Sequence, residues 1–454
     1  MSRGKDLGSH LKATLVLGVP LVLAQLAQIA IGVTDTIMLG WLGTAELAAG
    51  TLAFQAFFIF LIVGIGFGAA MVPLIANALG RDDPTSVRRA SRMGLWILSA
   101  LAIVFMLPLW FTQPILVFLG QEPQLAQLAE DYMRIAQWGL LPAFLLIGLR
   151  SFLTSIEKAN AVLGITIFAS VLNGLLNYAL IFGNWGAPRL EIEGAATASL
   201  VANIVATAVA IWLVMRMSEA RPYELFVRFW RPDWEAGARI CKLGVPISLG
   251  ILAEAGMFSA ASLMVGWLGE IQLAAHGIAL QLASVAFMVP LGLAQGGSVR
   301  VGNAAGRGDK GDIGMAARAV VMLALGFAVL SAAIFIFLPE PLIRLFMDEA
   351  VNAEKVEQVV RIAVPMLYMA AAFQVFDSLQ VASGSNLRGL QDTKVPMYIA
   401  TFSYWIVGMG SAYVVAFPLG FGGVGVWAGL VVGLAAASFG LTLRFTRREQ
   451  LGLV

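Results

Sequence analysis

The chain has 454 residues, of which 59% are hydrophobic and only 12% charged, against about 25% charged in a soluble domain. Charge-free stretches of roughly 20 residues or more recur along it, which excludes an ordinary soluble protein and fits helices crossing an apolar layer about 30 Å thick. A net charge of +2 singles out no acidic partner and gives no reason to expect nucleic acid, while one cysteine (Cys241) and two histidines exclude an internal disulfide and a histidine-built metal site.

Arg3, Lys5 and Lys12 precede the first apolar run. At residues 13–39 that run is too long for the core of a signal peptide and reads as an uncleaved helix, with His10 in the tail before it. Further runs follow at 50–76, 93–118, 131–155, 161–183 and 194–217, then at 240–265, 277–300, 315–338, 360–384, 396–418 and 422–444. Each is long enough to cross, and only helices satisfy their own backbone along such a run in lipid. Period-two alternation is missing, which excludes a β-barrel. His276, at the start of the eighth run, reads as a capping or packing residue.

The chain repeats itself at a shift of 226 residues. "GWLGTAELAAG" at 40–50 returns as "GWLGEIQLAAH" at 266–276, "LGVP" at 17–20 returns at 243–246, and Gly80-Arg81 returns as Gly306-Arg307. Each copy opens a half of six spans. Six is even, so the halves run in the same direction, related by a pseudo-two-fold axis along the membrane normal. The predicted fold is an all-α polytopic membrane protein of 12 transmembrane helices in two parallel six-helix repeats. The predicted division is an N-terminal lobe at 1–217, a cytoplasmic linker at 218–239 rich in Arg and Trp and interrupted by Pro222 and Pro232, and a C-terminal lobe at 240–454. Parallel repeats of this kind are a standard plan of secondary transporters, with the substrate site near the midplane.

Orientation follows from the basic residues. With the N-terminus in the cytoplasm, 24 of the 29 lysines and arginines fall on that side, leaving Arg134, Arg189, Arg344, Lys355 and Arg361 outside. Both termini are thus expected in the cytoplasm. The acidic outer segment from Glu340 to Glu357 reads as a solvated loop.

Three carboxylates remain inside spans: Asp35, Glu254 and Asp377. An ionisable group there costs about 2.5–3.5 kcal/mol even on lenient scales, so it marks function by default. Glu254 lies about 11 residues into the seventh span and Asp377 about 12 residues past Pro365. At about 1.5 Å per residue both fall near the middle third. All basic residues read as lying in loops or at span ends, so the pair is expected to take up a proton or hold a small cation such as Na+. At the repeat shift Glu254 corresponds to Gln28 and Asp35 to Ala261, which places the paired acids in one half only. Asp35, between Thr34 and Thr36 near the outer end of the first span, is a candidate vestibule acid. Polar residues within spans mostly bridge helices; Gln28, Gln55, Asn173, Asn177, Gln281 and Gln374 are candidates to line a cavity, together with Phe373.

No G-x-x-x-x-G-K-[ST] loop, H-E-x-x-H pair or Ser/His/Asp set is present. "GIGFGAA" at 64–70 sits in a span with no preceding strand, so helix packing explains it better than a dinucleotide site. The chain does not read as an enzyme.

"VTDTIMLGWLG" in the first half, the LGVP starts of the first and seventh spans, Glu254, and "QVFDSLQVASGSNLRGLQDTKVPM" at 374–397 together resemble the multidrug and toxic compound extrusion (MATE) family, in its NorM-like branch. The likeness runs over essentially the full length. It implies a monomeric antiporter of the cell inner membrane that exports small organic cations against inward Na+ or H+, needs no cofactor beyond that coupling ion, and has membrane lipids as its surroundings. It also implies that Glu254 and Asp377 bind the cation and that Asp35 contributes to transport. Phe373 replaces a tyrosine that related members can carry four residues before the acid, which leaves the choice of ion open. A lipid-linked oligosaccharide flippase is the alternative within the superfamily, disfavoured because its pyrophosphate calls for cavity cations. A cation channel is the alternative outside it.

Overall fold

A computed structural model of the protein describes residues 6–347 and 353–454. Arg3, Lys5 and the middle of the acidic 340–357 segment lie outside the described residues. Among those described, twelve helices are long and apolar enough to cross a membrane, and no strand occurs. They are α1 (Leu7–Leu42), α2 (Thr44–Gly80), α3 (Pro84–Leu109), α4 (Pro123–Ser155), α5 (Ala159–Phe182), α6 (Glu191–Arg216), α7 (Trp234–Gly266), α8 (Glu270–Gly306), α9 (Lys310–Phe337), α10 (Glu354–Gly389), α11 (Lys394–Ala416) and α12 (Gly422–Thr446).

Departures from the apolar windows have local causes. The predicted run 93–118 breaks at Trp110–Phe111, where Pro108 ends α3 and a short helix, Thr112–Phe118, follows. Proline lacks the donor that would carry the ladder onward. Within α4, a 3-10 turn at Gln137–Gly139 precedes Pro142, which cannot bond back to the preceding turn. Residues 234–239 of the predicted linker are helical, because α7 begins at Trp234. Asp233 caps that helix by accepting from the Ala236 N–H at 3.1 Å, and Pro222 falls in a 3-10 turn, Arg221–Tyr223. His10 is not in a tail: it lies inside α1, 1% exposed.

The internal repeat extends to the element bounds. α2 and α8 have 37 residues each, and α3 and α9 start at equivalent positions, Pro84 and Lys310. Both starts are capped alike: Asp83 accepts from the Ser86 N–H at 3.0 Å and Asp309 from the Asp312 N–H at 2.9 Å, the bond that satisfies an orphan donor of the first turn. α1 and α7 each contain the proline of LGVP, Pro20 and Pro246.

The chain forms two compact units, Leu23–Ser248 and Met1–Val22 with Leu249–Val454. In the first, Phe144, Phe152, Leu149 and Met71 are fully buried. The "GIGFGAA" stretch of α2 packs there: a Cβ on Gly64 would fall 2.6 Å from the Phe144 ring, and one on Gly66 or Gly68 would meet Ser248 or Ile147. In the second, Met257, Tyr404, Trp427 and Leu430 anchor the core. α11 and α12 approach so closely that a Cβ on Gly433 would lie 2.7 Å from the Gly408 Cα. Ser403–Gly408, on that face, is π-helical.

Candidate functional site

Glu254 on α7 and Asp377 on α10 lie in the same compact unit and within electrostatic reach of each other. Asp377 is 3% exposed. Its Oδ1 is buried with no hydrogen-bond partner among the described residues, as are Ser378 Oγ and Gln374 Oε1 beside it. A buried carboxylate oxygen left in this way needs a proton or a cation.

Two further groups complete the cluster, and the sequence reading missed both. The Arg388 guanidinium, near the end of α10, interacts electrostatically with Glu254, which corrects the expectation that no basic group reaches the acids. The predicted tenth span stopped at 384, whereas the helix runs to Gly389; a long arginine stem there can reach back along the helix. Tyr404 is 1% exposed, accepts from Gln380 Nε2 at 2.7 Å, and interacts with Glu254, Asp377 and Arg388. It belongs to the π-helical turn of α11, whose next residue, Trp405, donates from Nε1 to the Ala253 carbonyl at 3.1 Å. That turn therefore supplies a phenol to the acids and a tie to the backbone next to Glu254. π-Helical turns often mark functional positions.

Among the described residues no three His, Cys, Asp or Glu side chains cluster to hold a metal ion. A cation at Glu254 and Asp377 would have two carboxylates and the Tyr404 phenol within electrostatic reach.

Asp35 lies in the other unit, half-buried, where it accepts from Asn177 Nδ2. Asn177 also donates to Asn173 Oδ1 at 3.3 Å, and Asn173 Nδ2 donates to Ser199 Oγ at 3.1 Å. Asp35 thus heads a polar network across α1, α5 and α6, and the two asparagines predicted to line a cavity serve it.

The remaining candidates divide. Gln28 is exposed and accepts from Arg150 Nη1 at 3.0 Å. Gln55 and Gln281 are exposed and form no side-chain hydrogen bond among the described residues. Gln374 is buried and donates to the Ala283 carbonyl at 2.8 Å. Phe373, 2% exposed, packs between Phe258 and Trp427 at ring distances of 5.9 and 5.7 Å, inside the core and not on a cavity wall. His276 packs on Trp427 and pairs with Ser262 Oγ at 3.0 Å.

A duplicated set of twelve spans, with ionisable groups drawn together inside one unit, defines a polytopic membrane transporter. A sequence model of the MatE family matches residues 20–179 and 246–414. A "Probable multidrug resistance protein NorM" of Rhizobium meliloti is 48% identical over 97% of this chain and 94% of its own length. Another of that name from Agrobacterium fabrum is 46% identical over 96% and 94%. The crystal structure of the eukaryotic MATE transporter AtDTX14 superposes with a TM-score of 0.85 over 99% of this chain and 100% of its own, at 19% identity, a likeness of fold alone. The chain belongs to the MATE family of transporters, in the NorM-like branch.

Proposed function

We propose that this protein is a multidrug efflux antiporter that exports organic cations in exchange for inward Na+ or H+. The observation that carries the reading is the Glu254–Asp377 pair, two carboxylates in mutual reach within membrane spans, with Asp377 Oδ1 buried and unpartnered. Two such charges repel and Arg388 offsets only one of them, so the cluster gains most from a single added positive charge. Entry of the coupling ion from outside neutralises the pair and favours release of the drug; return of the ion to the cytoplasm resets it. The six-span halves alternate access by rocking, with Pro20, Pro246, Pro365 and Pro396 as bend points, and Asp35 with its asparagine network takes part in transport.

The relatives named as multidrug resistance proteins support the substrate class. The excess of lysine and arginine on one side supports an inner-membrane orientation with both termini in the cytoplasm. Moving one charge inward across 100 mV supplies about 2.3 kcal/mol, enough for a gradient of about fortyfold per charge. The test is ethidium transport by the purified protein in vesicles, with Na+ and proton gradients imposed separately. Uphill movement driven by at least one gradient, and abolished when it is dissipated, is the expected result. Ethidium flux indifferent to both gradients would overturn the antiport reading.

A further inference from the structure

Arg150 is a cation inside the spans to which the mechanism above gives no role. It sits about five residues before the end of α4, yet its Nη1 reaches Gln28, near the middle of the 36-residue α1, at 3.0 Å. Both belong to the Leu23–Ser248 unit. This corrects the expectation that every basic side chain stays in loops or at span ends. Its hydrogen-bond partner is a neutral amide oxygen, and among the described residues no carboxylate pairs with it or acts on it electrostatically.

The guanidinium is nonetheless not sealed. Arg92 and Arg448 each carry a buried, unpartnered Nε, whereas no nitrogen of Arg150 is buried without a partner, and the side chain is half-buried. Its remaining N–H groups therefore border open space within an apolar span. An intramembrane cation marks function by default. A guanidinium presents a rigid planar fork that matches an oxyanion through two parallel charge-assisted hydrogen bonds. Gln28 holds one arm of that fork and so sets its plane. The repeat adds a contrast, because the position equivalent to Gln28 in the second half is Glu254. One half places its ionisable pair as acids, while the other anchors an arginine at the matching residue.

We infer that Arg150, positioned by Gln28, forms an oxyanion-binding subsite that takes the carboxylate of a zwitterionic amphipathic solute. The inference rests on the multidrug reading and deepens it by naming the residue that would receive a substrate's anionic group. A lipid phosphate shares the chemistry and is the competing occupant.

The experiment uses rhodamine B, which carries a free carboxylate beside its cationic ring system, and its ethyl ester, which is a cation only. Binding of each dye to the purified full-length protein is measured by fluorescence polarisation in detergent and in nanodiscs. Arg150→Gln is expected to weaken rhodamine B by about tenfold, the size of a lost charge-assisted bond, and to change the ester by less than about twofold. Gln28→Ala keeps the charge and removes only the anchor. It is expected to weaken rhodamine B selectively by about threefold, and it serves if Arg150→Gln does not fold. Equal shifts for both dyes in these variants, or no shift in either, would overturn the subsite. If phospholipid nanodiscs abolish the Arg150-dependent advantage that detergent preserves, the occupant is lipid phosphate and the solute assignment is overturned. Failure of the wild-type protein to bind the ester would count against the multidrug reading itself, a separate outcome.

Discussion

The Tyr404 oxygen accepts from Gln380, so its own proton remains available, and the charges it interacts with include both acids of the candidate site. A phenol that turned that proton to a carboxylate would favour the ionised form, and on the proposed reading Tyr404 would in this way hold the ion-receptive state. Tyr404→Phe should therefore change the concentration of coupling ion needed for half-maximal efflux by about tenfold, with folding intact. An unchanged ion dependence would remove Tyr404 from the site. No sequence pattern pointed to this residue, since a π-helical turn shifts the register by which neighbours are counted. Glu254 and Asp377 were legible because a carboxylate is conspicuous in an apolar run; Arg388 was not, because it lies past the apolar window and returns through its stem. Just ahead of α7, the Asp233 carboxyl is held below its ordinary range by the Arg89 guanidinium. A depressed carboxylate stabilises the fold above its unfolded value of about 3.9 and loses that contribution as pH falls through its folded value. Asp233→Asn should accordingly lower the melting temperature at neutral pH and cease to matter in strong acid. A deficit that persists in acid would mean the side chain acts through shape and not charge.

Elements carry the duplication more faithfully than residues do. Asp83 and Asp309 cap α3 and α9 with the same bond at the same repeat position. Replacing either by alanine should cost about 1 kcal/mol, and the two costs should agree, as read by thermal unfolding of each variant. A large cost at one cap and none at the other would mean the halves no longer share this element. Helix existence was legible throughout, because apolar runs in lipid leave few alternatives. Helix ends were not: α1 runs from Leu7 to Leu42 against a window of 13–39, since polar turns continue a helix beyond the apolar layer. The internal breaks at Trp110–Phe111 and Gln137–Gly139 lie within three residues of Pro108 and Pro142. The π-helical turn has no such marker; it coincides with Gly408 and Gly433, where two backbones come close.

At the scale of the molecule, the compact units divide the chain after Val22 and after Ser248, equivalent positions in the repeat and two residues beyond Pro20 and Pro246. The first helix of each half thus begins in one unit and ends in the other, a division that neither the linker nor the hydropathy pattern signals. The repeat itself was legible from a few short identities, because duplicated chains keep their turns and caps while their charges diverge. That divergence is where the proposed function resides, with paired acids in one half and Asp35 and Arg150 in the other. Ethidium efflux under separately imposed Na+ and proton gradients, compared among wild type, Glu254→Gln and Asp377→Asn, tests the claim most directly. Gradient-driven efflux should persist in the wild type and fall to the passive rate in both variants; normal pumping by both variants under either gradient would contradict it.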